Sequence, residues 1–230
     1  KSWDDIYVSE ELKRELQFFI DYLQNPKKYK KKGVKPRGVL LYGPPGTGKT
    51  SLAKVVASES GVNFLSVSAS ELLNGGPGKV QDEFRIARKY APAILFIDEI
   101  DAIGIKREYS YAPNPVLNAL LTEMDGFISR EDKPVFVMAA TNLGNKIDFA
   151  LQRRFDRSFE MDCLDRKGRR WVLEKLIKKQ GDMFEVSDEE IESIVDRSAR
   201  MSPAVLERVV EAALREGIRS DRVIDDDLFD

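Results

Sequence analysis

The sequence predicts an α/β protein of P-loop type, a parallel sheet flanked by helices, followed by a small all-helical subdomain. Three observations predict it. Apolar, β-favouring runs alternate with helical stretches from the start of the chain to about Leu164, the pattern of a sheet wrapped by helices. A glycine-rich loop, Gly43-Pro44-Pro45-Gly46-Thr47-Gly48-Lys49-Thr50, joins one such run to a helix. From Asp165 onward no strand pattern remains, only 3.6-residue periodicity. The expected organisation is a larger α/β subdomain over 1–164 and a smaller helical one over 165–230.

The first element is an amphipathic helix with Leu12, Leu16, Phe19, Ile20 and Leu23 on one side, ending near Asn25-Pro26. The basic run Lys27-Lys28-Tyr29-Lys30-Lys31-Lys32 reads as a solvated loop, with a contact to acidic lipid headgroups or an acidic partner as the alternative. Strands are expected over 39–42, 63–67, 93–97, 135–139 and 158–161. The first is continuously apolar, as in a parallel strand buried on both faces. Helices are expected near 52–60, 79–90 and 116–124, with Pro92 stopping the second and Gly126 following the third. In the helical part, Trp171, Leu173, Leu176 and Ile177 mark one helix. Ile191, Ile194 and Val195 mark another, which Ser187 and Glu190 open as a capping box. A third begins at Ser202-Pro203, an N-cap followed by Pro at the first helical position, and carries Val205, Leu206, Val209, Val210 and Leu214.

Composition narrows the class. A net charge of −2 with 33% charged residues argues against a dedicated nucleic-acid-binding domain. The single cysteine, Cys163, excludes an internal disulfide and suits a reducing compartment; its expected place is as core filler at a strand end. Histidine is absent, which excludes a His-ligated metal and His-based catalysis within these residues. No apolar run approaches the roughly 20 residues that span a bilayer, and no signal peptide is visible. The opening Lys1-Ser2-Trp3-Asp4 reads as the start of an excised domain, and the closing residues 223–230 as the beginning of a further helix.

The glycine-rich loop carries the chemistry. Its glycines let the backbone curl so that N–H groups point inward onto phosphates, at the positive end of the following helix. Lys49 reaches the β- and γ-phosphates of a nucleoside triphosphate, and the Thr50 hydroxyl ligates Mg²⁺. Gly43, Pro44, Pro45, Gly46, Thr47, Gly48, Lys49, Thr50 and Ser51 are the candidate nucleotide-contacting residues here. The run Ile94-Leu95-Phe96-Ile97-Asp98-Glu99 is an apolar strand ending in two carboxylates, a Walker B arrangement. Ligands of open α/β sheets bind outside the carboxyl ends of the strands, so Asp98 is expected beside the loop, holding Mg²⁺ through water. Glu99 is then the general base that polarises the attacking water. Asn142, just after the fourth strand, either hydrogen-bonds the γ-phosphate, orients that water or is a turn former. Gln152-Arg153-Arg154-Phe155-Asp156-Arg157 is either solvated surface or a source of transition-state positive charge, which a neighbouring subunit's site would receive if the arginines lie far from their own loop.

Together these motifs resemble the AAA family of ring-forming ATPases, specifically the membrane-anchored FtsH-type metalloproteases. The resemblance runs from Trp3-Asp4-Asp5-Ile6 through the loop and the segment ending Asp98-Glu99-Ile100-Asp101-Ala102-Ile103-Gly104. It continues through Glu123-Met124-Asp125-Gly126-Phe127, Ala139-Ala140-Thr141-Asn142 and Arg154-Phe155-Asp156-Arg157 to Glu211-Ala212-Ala213-Leu214. It implies an AAA+ fold with a helical lid, ATP and Mg²⁺ as cofactors, and Asn142 as sensor 1. It implies Arg154 and Arg157 as trans-acting arginine fingers, with Arg153 competing for the first position because the usual Pro-Gly before it is missing. Asp125-Gly126-Phe127 becomes the element signalling between subunits, the backbone around Ile6 and Tyr7 contacts adenine, and Ala204 lies near sensor 2.

The implied function is ATP-driven unfolding and translocation of polypeptide by a homo-hexameric ring at the cytoplasmic face of a membrane. Membrane contact comes only through segments outside this chain, and a Zn²⁺ peptidase domain also lies outside it. The alternatives are a remodelling or disassembly ATPase without protease activity, and a slow-turnover nucleotide-gated ring. Two departures stand out. In the pore-loop stretch Glu71-Leu72-Leu73-Asn74-Gly75-Gly76, Leu72 stands where the family has an aromatic, and Tyr109 and Tyr111 are candidates to compensate. Ser202-Pro203-Ala204 replaces a Ser-Gly-Ala pattern near the lid.

Overall fold

A computed structural model describes residues 1–105, 114–126 and 134–220; Tyr109, Tyr111, Phe127 and the closing residues 223–230 lie outside them. The chain divides into two compact units. One comprises Lys1–Gly43 and Lys49–Met161, the other Pro44–Gly48 and the residues from Asp162 on.

The first unit is built on five parallel strands, β1 (Gly38–Tyr42), β2 (Asn63–Ser68), β3 (Ala93–Asp98), β4 (Val135–Thr141) and β5 (Arg157–Glu160), in the order β2-β3-β4-β1-β5. Its helices are α1 (Glu10–Gln24), α2 (Pro26–Lys30), α3 (Lys49–Ser60), α4 (Ala69–Lys89), α5 (Asp101–Gly104), α6 (Pro115–Gly126) and α7 (Phe149–Gln152). Alternation along the central strands divides the core into two layers. Leu40, Leu95, Ile97, Val135, Val137 and Ala139 pack with Val80 and Phe84 of α4 and Leu120 of α6. Val39, Leu41, Ile94, Phe96, Phe136 and Met138 pack with Leu16, Phe19 and Ile20 of α1 and Leu52 and Val56 of α3. Burial on both faces explains why β1, β3 and β4 read as unbroken apolar runs, whereas β2 and β5, at the edges, carry exposed residues.

The chain leaves β1 toward the far edge at β2 and leaves β4 in the other direction, to β5. The crevice between the carboxyl ends of β1 and β4 is therefore the topological switch point, where open α/β sheets bind ligands.

Several local expectations change. The basic run is not all loop, because Pro26 occupies the first position of α2, whose fixed φ suits a helix start. α4 begins ten residues earlier than the 79–90 helix expected from periodicity, since Ser68 accepts the Glu71 N–H at 3.2 Å and caps a first segment. The glycine signal was still informative, because the helix breaks at Gly76, with φ 69°, and resumes at Pro77. Leu72, expected where the family has its pore-loop aromatic, is buried rather than exposed. It is 1% exposed and packs in the core with Val80 and Phe84, on the buried side of that first segment. Leu73, 37% exposed, is the apolar neighbour that faces solvent. Leu72→Ala is expected to cost about 2–5 kcal/mol of stability through the cavity it leaves. Leu73→Ala should stay within about 0.5 kcal/mol. Denaturant titration of the two variants checks the assignment. Cys163 is half-buried in the connection after β5 rather than core filler, because β5 ends at Glu160.

In the second unit, α8 (Arg166–Lys179), α9 (Asp188–Arg197) and α10 (Pro203–Ser220) enclose Leu173, Phe184, Ile194, Val195, Leu206 and Val210. The capping box forms as expected: the Glu190 N–H donates to Ser187 Oγ, and the Ser187 N–H donates to Glu190 Oε2 at 2.6 Å. Ser202 Oγ accepts from the Val205 N–H at the start of α10.

Candidate nucleotide-binding and hydrolytic site

Strand β1 runs directly into the glycine loop, and the loop's shape is forced by close backbone packing. Gly43 has φ 139°, and a Cβ there would lie 2.2 Å from the Met161 carbonyl oxygen. No other residue fits this turn, which the Gly43 N–H closes by donating to the Thr141 carbonyl at 3.2 Å. At the loop tip, Thr47 Oγ1 donates to the Pro44 carbonyl at 3.0 Å. Gly46, with φ 75°, leaves room for Ala204: its carbonyl accepts the Ala204 N–H at 3.2 Å, and an added Cβ would meet Ala204 Cβ at 2.9 Å. Thus Ala204, at the start of α10, sits against the phosphate loop. Pro45 and Gly48 complete the curve into α3, whose first N–H groups have no acceptor within their own helix and favour an anion.

Lys49 is buried, and its ammonium donates to the Gly43 carbonyl at 2.8 Å. Burial pushes its pKa below the ordinary lysine value, and the charges of Asp98 and Asp101 oppose that shift. A phosphate group would add to this opposing effect, so the residue is placed to gain from binding an anion. Thr50 Oγ1 donates to Asp98 Oδ2 at 3.3 Å. One hydroxyl and one carboxylate side by side form the small oxygen set that a hard divalent cation takes when phosphates and waters complete its shell. No cluster of three or more His, Cys, Asp or Glu able to hold a metal occurs among the described residues. Ser51, one residue on, accepts a hydrogen bond from Lys1 Nζ at 2.9 Å.

Glu99 follows β3 with an exposed side chain on strained backbone, φ 52°. A non-glycine residue in this left-handed region costs on the order of 1–3 kcal/mol and persists only where its surroundings hold it. Asp98 Oδ1 accepts the Glu99 N–H at 2.9 Å. Asn142 is exposed immediately after β4, and because Tyr42 and Thr141 are in register it lies level with the start of the loop. Lys49, Thr50, Asp98, Glu99 and Asn142 are therefore gathered at the carboxyl ends of β1, β3 and β4.

The arginines are not. β5 starts at Arg157, in register with Val39, so Arg157 enters the sheet ~10 Å upstream of the end of β1 at ~3.3 Å per residue. Asp156 accepts the Arg37 and Gly38 N–H groups, anchoring this corner at the amino edge of the sheet. Arg157 pairs with Glu15 at 3.1 Å. Arg154 is clasped by Asp125 through two hydrogen bonds, Nε to Oδ1 at 3.1 Å and Nη2 to Oδ2 at 2.8 Å, and also donates to the Ala150 carbonyl. Arg153 is exposed and lies over the ring of Phe149, itself exposed, at 5.6 Å. Ile6 and Tyr7 are half-buried, in the stretch between the opening turn and α1, and Ile6 packs against the α1–α3 core layer. Sequence reasoning gave no role to Asp101 or to the Thr141 hydroxyl, which meet at 2.7 Å. The only signal was the position of Asp101, close behind the paired acids in the same segment.

A parallel sheet with a phosphate loop after β1 and paired acids after β3 defines a P-loop nucleoside triphosphatase. Residues 39–163 match the sequence profile of the ATPase family associated with various cellular activities (AAA), and the chain belongs to that family. It is an ATPase domain that uses a nucleotide. It is 43% identical to the ATP-dependent zinc metalloprotease FtsH of Mycoplasma pneumoniae over 96% of this chain and 32% of that protein. With the FtsH protein of Nitrosococcus oceani it shares 40% identity over 99% of this chain and 37% of the other. The chain thus spans about a third of the length of these relatives. Among solved structures it resembles the FIGL-1 AAA domain in complex with ADP, with a TM-score of 0.86 and 26% identity over 99% of this chain and 82% of that one. No helix among the described residues is long and apolar enough to cross a membrane.

Proposed function

We propose that this chain is the ATP-driven motor of an FtsH-type ATP-dependent metalloprotease, acting in a homo-hexameric ring that unfolds and translocates polypeptides. The zinc peptidase and any membrane anchor belong to parts of the protein outside this chain, and the motor works at the cytoplasmic face of the membrane. One observation carries the ring: Arg154 and Arg157 lie toward the edge of the sheet opposite their own Lys49, while the loop and acids needed for hydrolysis are complete. Positive charge for the transition state then comes from a neighbouring subunit.

In this reading the loop amides and Lys49 bind the β- and γ-phosphates, and Ile6 and Tyr7 offer backbone to the base. Thr50 and Asp98 would hold Mg²⁺, which when bound would neutralise phosphate charge. Glu99 accepts a proton from the attacking water as the water displaces ADP from the γ-phosphorus, and Asn142 orients that water. Ala204 contacts the loop tip from the start of α10, within one compact unit. Asp125 and Gly126, next to the arginine corner, carry the state of one site to the next. With Leu72 in the core, Leu73 beside the Gly75-Gly76 break is the apolar side chain this segment offers to a substrate polypeptide. The similarity to FtsH proteins along almost the whole chain favours this reading over a remodelling ATPase without a peptidase.

The test is the ATPase rate per subunit against protein concentration, with and without an unfolded polypeptide. A rate that rises with concentration, and rises further with the polypeptide, is expected. A rate independent of both overturns the shared-site ring. In the full-length sequence, a membrane span before this domain and a His-Glu-x-x-His motif after it are expected; absence of both overturns the protease assignment.

A further inference from the structure

We infer that Thr141 and Asp101 are positioning residues that hold Glu99 and Asn142 in hydrolytic register through a single hydroxyl, that of Thr141. Glu99 sits in the left-handed region, between residues that are each tied down. On its upstream side Asp98 receives the Glu99 N–H and the Thr50 hydroxyl. On its downstream side the Ile100 N–H donates to the Ala140 carbonyl at 2.9 Å, and Asp101 Oδ1 accepts the Thr141 hydroxyl at 2.7 Å. Without the downstream ties the strained turn can relax, and the Glu99 carboxylate moves with it.

Thr141 is where three motifs meet. It is 1% exposed and ends β4. Its carbonyl accepts the Gly43 N–H that opens the phosphate loop. Its hydroxyl oxygen accepts the Leu143 N–H at 3.0 Å, closing the backbone around Asn142, while its proton goes to Asp101. One hydroxyl thus donates to the acid turn and accepts from the sensor turn, both at once. A hydroxyl-to-carboxylate bond is charge-assisted and directional, so it fixes an angle as well as a distance. Serine preserves both roles; valine, of the same shape, preserves neither.

The inference rests on Glu99 being the water-activating acid, and the experiment separates the two claims. Steady-state ATPase, ADP affinity and melting temperature are measured for Thr141→Val, Thr141→Ser, Asp101→Asn and Asp101→Ala, alone and in the Glu99→Gln background. Thr141→Val and Asp101→Ala are expected to lower kcat about ten- to a hundredfold, the range for a misplaced catalytic group. ADP affinity should stay within about twofold, because the affected group acts on the water, not on the nucleotide. Thr141→Ser should keep kcat within about threefold of wild type. Asp101→Asn, which retains an acceptor oxygen, should lose less than Asp101→Ala. In the Glu99→Gln background Thr141→Val should lower the residual rate by less than it lowers the wild-type rate, since the part of its effect that runs through Glu99 is already lost and only the part that runs through Asn142 remains. Wild-type kcat in Thr141→Val, failure of serine to rescue, a loss of ADP affinity matching the loss of kcat, or a full further drop in the Glu99→Gln background each overturns the positioning role. If Glu99→Gln itself turns over normally, the assignment of Glu99 fails instead. Should Thr141→Val not fold, the comparison of Asp101→Asn with Asp101→Ala and the serine variant decide the matter.

Discussion

Glu99→Gln will leave ATP binding intact and lower turnover at least about a hundredfold, a barrier increase of roughly 2.7 kcal/mol. Glutamine keeps the size of the side chain and the backbone turn but cannot accept the water's proton. Binding should be spared because, in the proposed site, Lys49, Thr50 and the loop amides hold the phosphates independently of this carboxylate, whose side chain is exposed at the strand end. Equilibrium binding of ATP and a single-turnover assay check the two halves separately. Turnover at the wild-type rate would sink the role given to Glu99. Lost binding would show instead that the strained turn at φ 52° supports the loop itself.

Removing an arginine finger should have the larger effect. Arg154→Ala or Arg157→Ala is expected to slow hydrolysis by about 10³–10⁵, or ~4–7 kcal/mol of transition-state stabilisation. The size of that gain decides whether the contacts seen in the single chain are an obstacle. The clasp of Arg154 by Asp125 is partly exposed, 25% and 47% for the two side chains. An exposed pair is worth on the order of 1 kcal/mol, and two parallel hydrogen bonds such as these add to that without approaching the gain expected of a finger. A γ-phosphate in a neighbouring site, which offers several charged oxygens to the same guanidinium, is therefore expected to outcompete Asp125. The hydrogen bonds from Arg154 hold the Asp125 carboxyl below its ordinary value, against the opposing effect of burial. A lowered carboxylate pKa contributes stability above the ordinary value that disappears only as pH falls through the lowered one, so the clasp is intact at neutral pH.

Mixing supplies the decisive arm. Lys49→Ala subunits lack a working loop but retain their arginines, and Arg154→Ala subunits have the reverse. Trans action predicts that an equal mixture regains activity at roughly a quarter of interfaces of a head-to-tail ring, never the full rate. No recovery above the two variants alone would place the arginine in its own site or outside catalysis. Running Arg153→Ala beside them decides which residue is the first finger, since Arg153 lies exposed on Phe149 while Arg154 starts out engaged.

The parts of the site that were legible in the sequence are those set by short-range backbone chemistry. The glycines of 43–48, the Lys49-Thr50 pair and the acids after an apolar strand are each recognisable as a candidate motif within a few consecutive residues. The capping box at Ser187 and Glu190 and the Ser202-Pro203 helix start were readable for the same reason. Reading failed where a face had to be chosen. Adjacent Leu72 and Leu73 have identical side chains, and only the packing of α4 on the sheet sends one into the core and the other to solvent. A short segment broken by glycines has too few turns for its periodicity to settle the choice. The basic run misled similarly, since the helix that Pro26 starts just before it takes in residues 27–30, which composition does not announce.

By itself, then, the sequence determined the fold class and the order of the strands and longer helices, and it named the candidate phosphate-binding and hydrolytic groups, because each depends on local patterns of hydrophobicity and backbone freedom. Tertiary structure alone decided which of those groups share a site. The parallel register of β1 with β4 and β5 puts Asn142 beside the loop and Arg157 toward the opposite edge. Packing also joins Thr141 to Asp101 and Arg154 to Asp125 across long stretches of chain. Contacts of that kind arise from how strands stack and helices cover them, and a side chain's distant partner leaves no mark on the residues next to it.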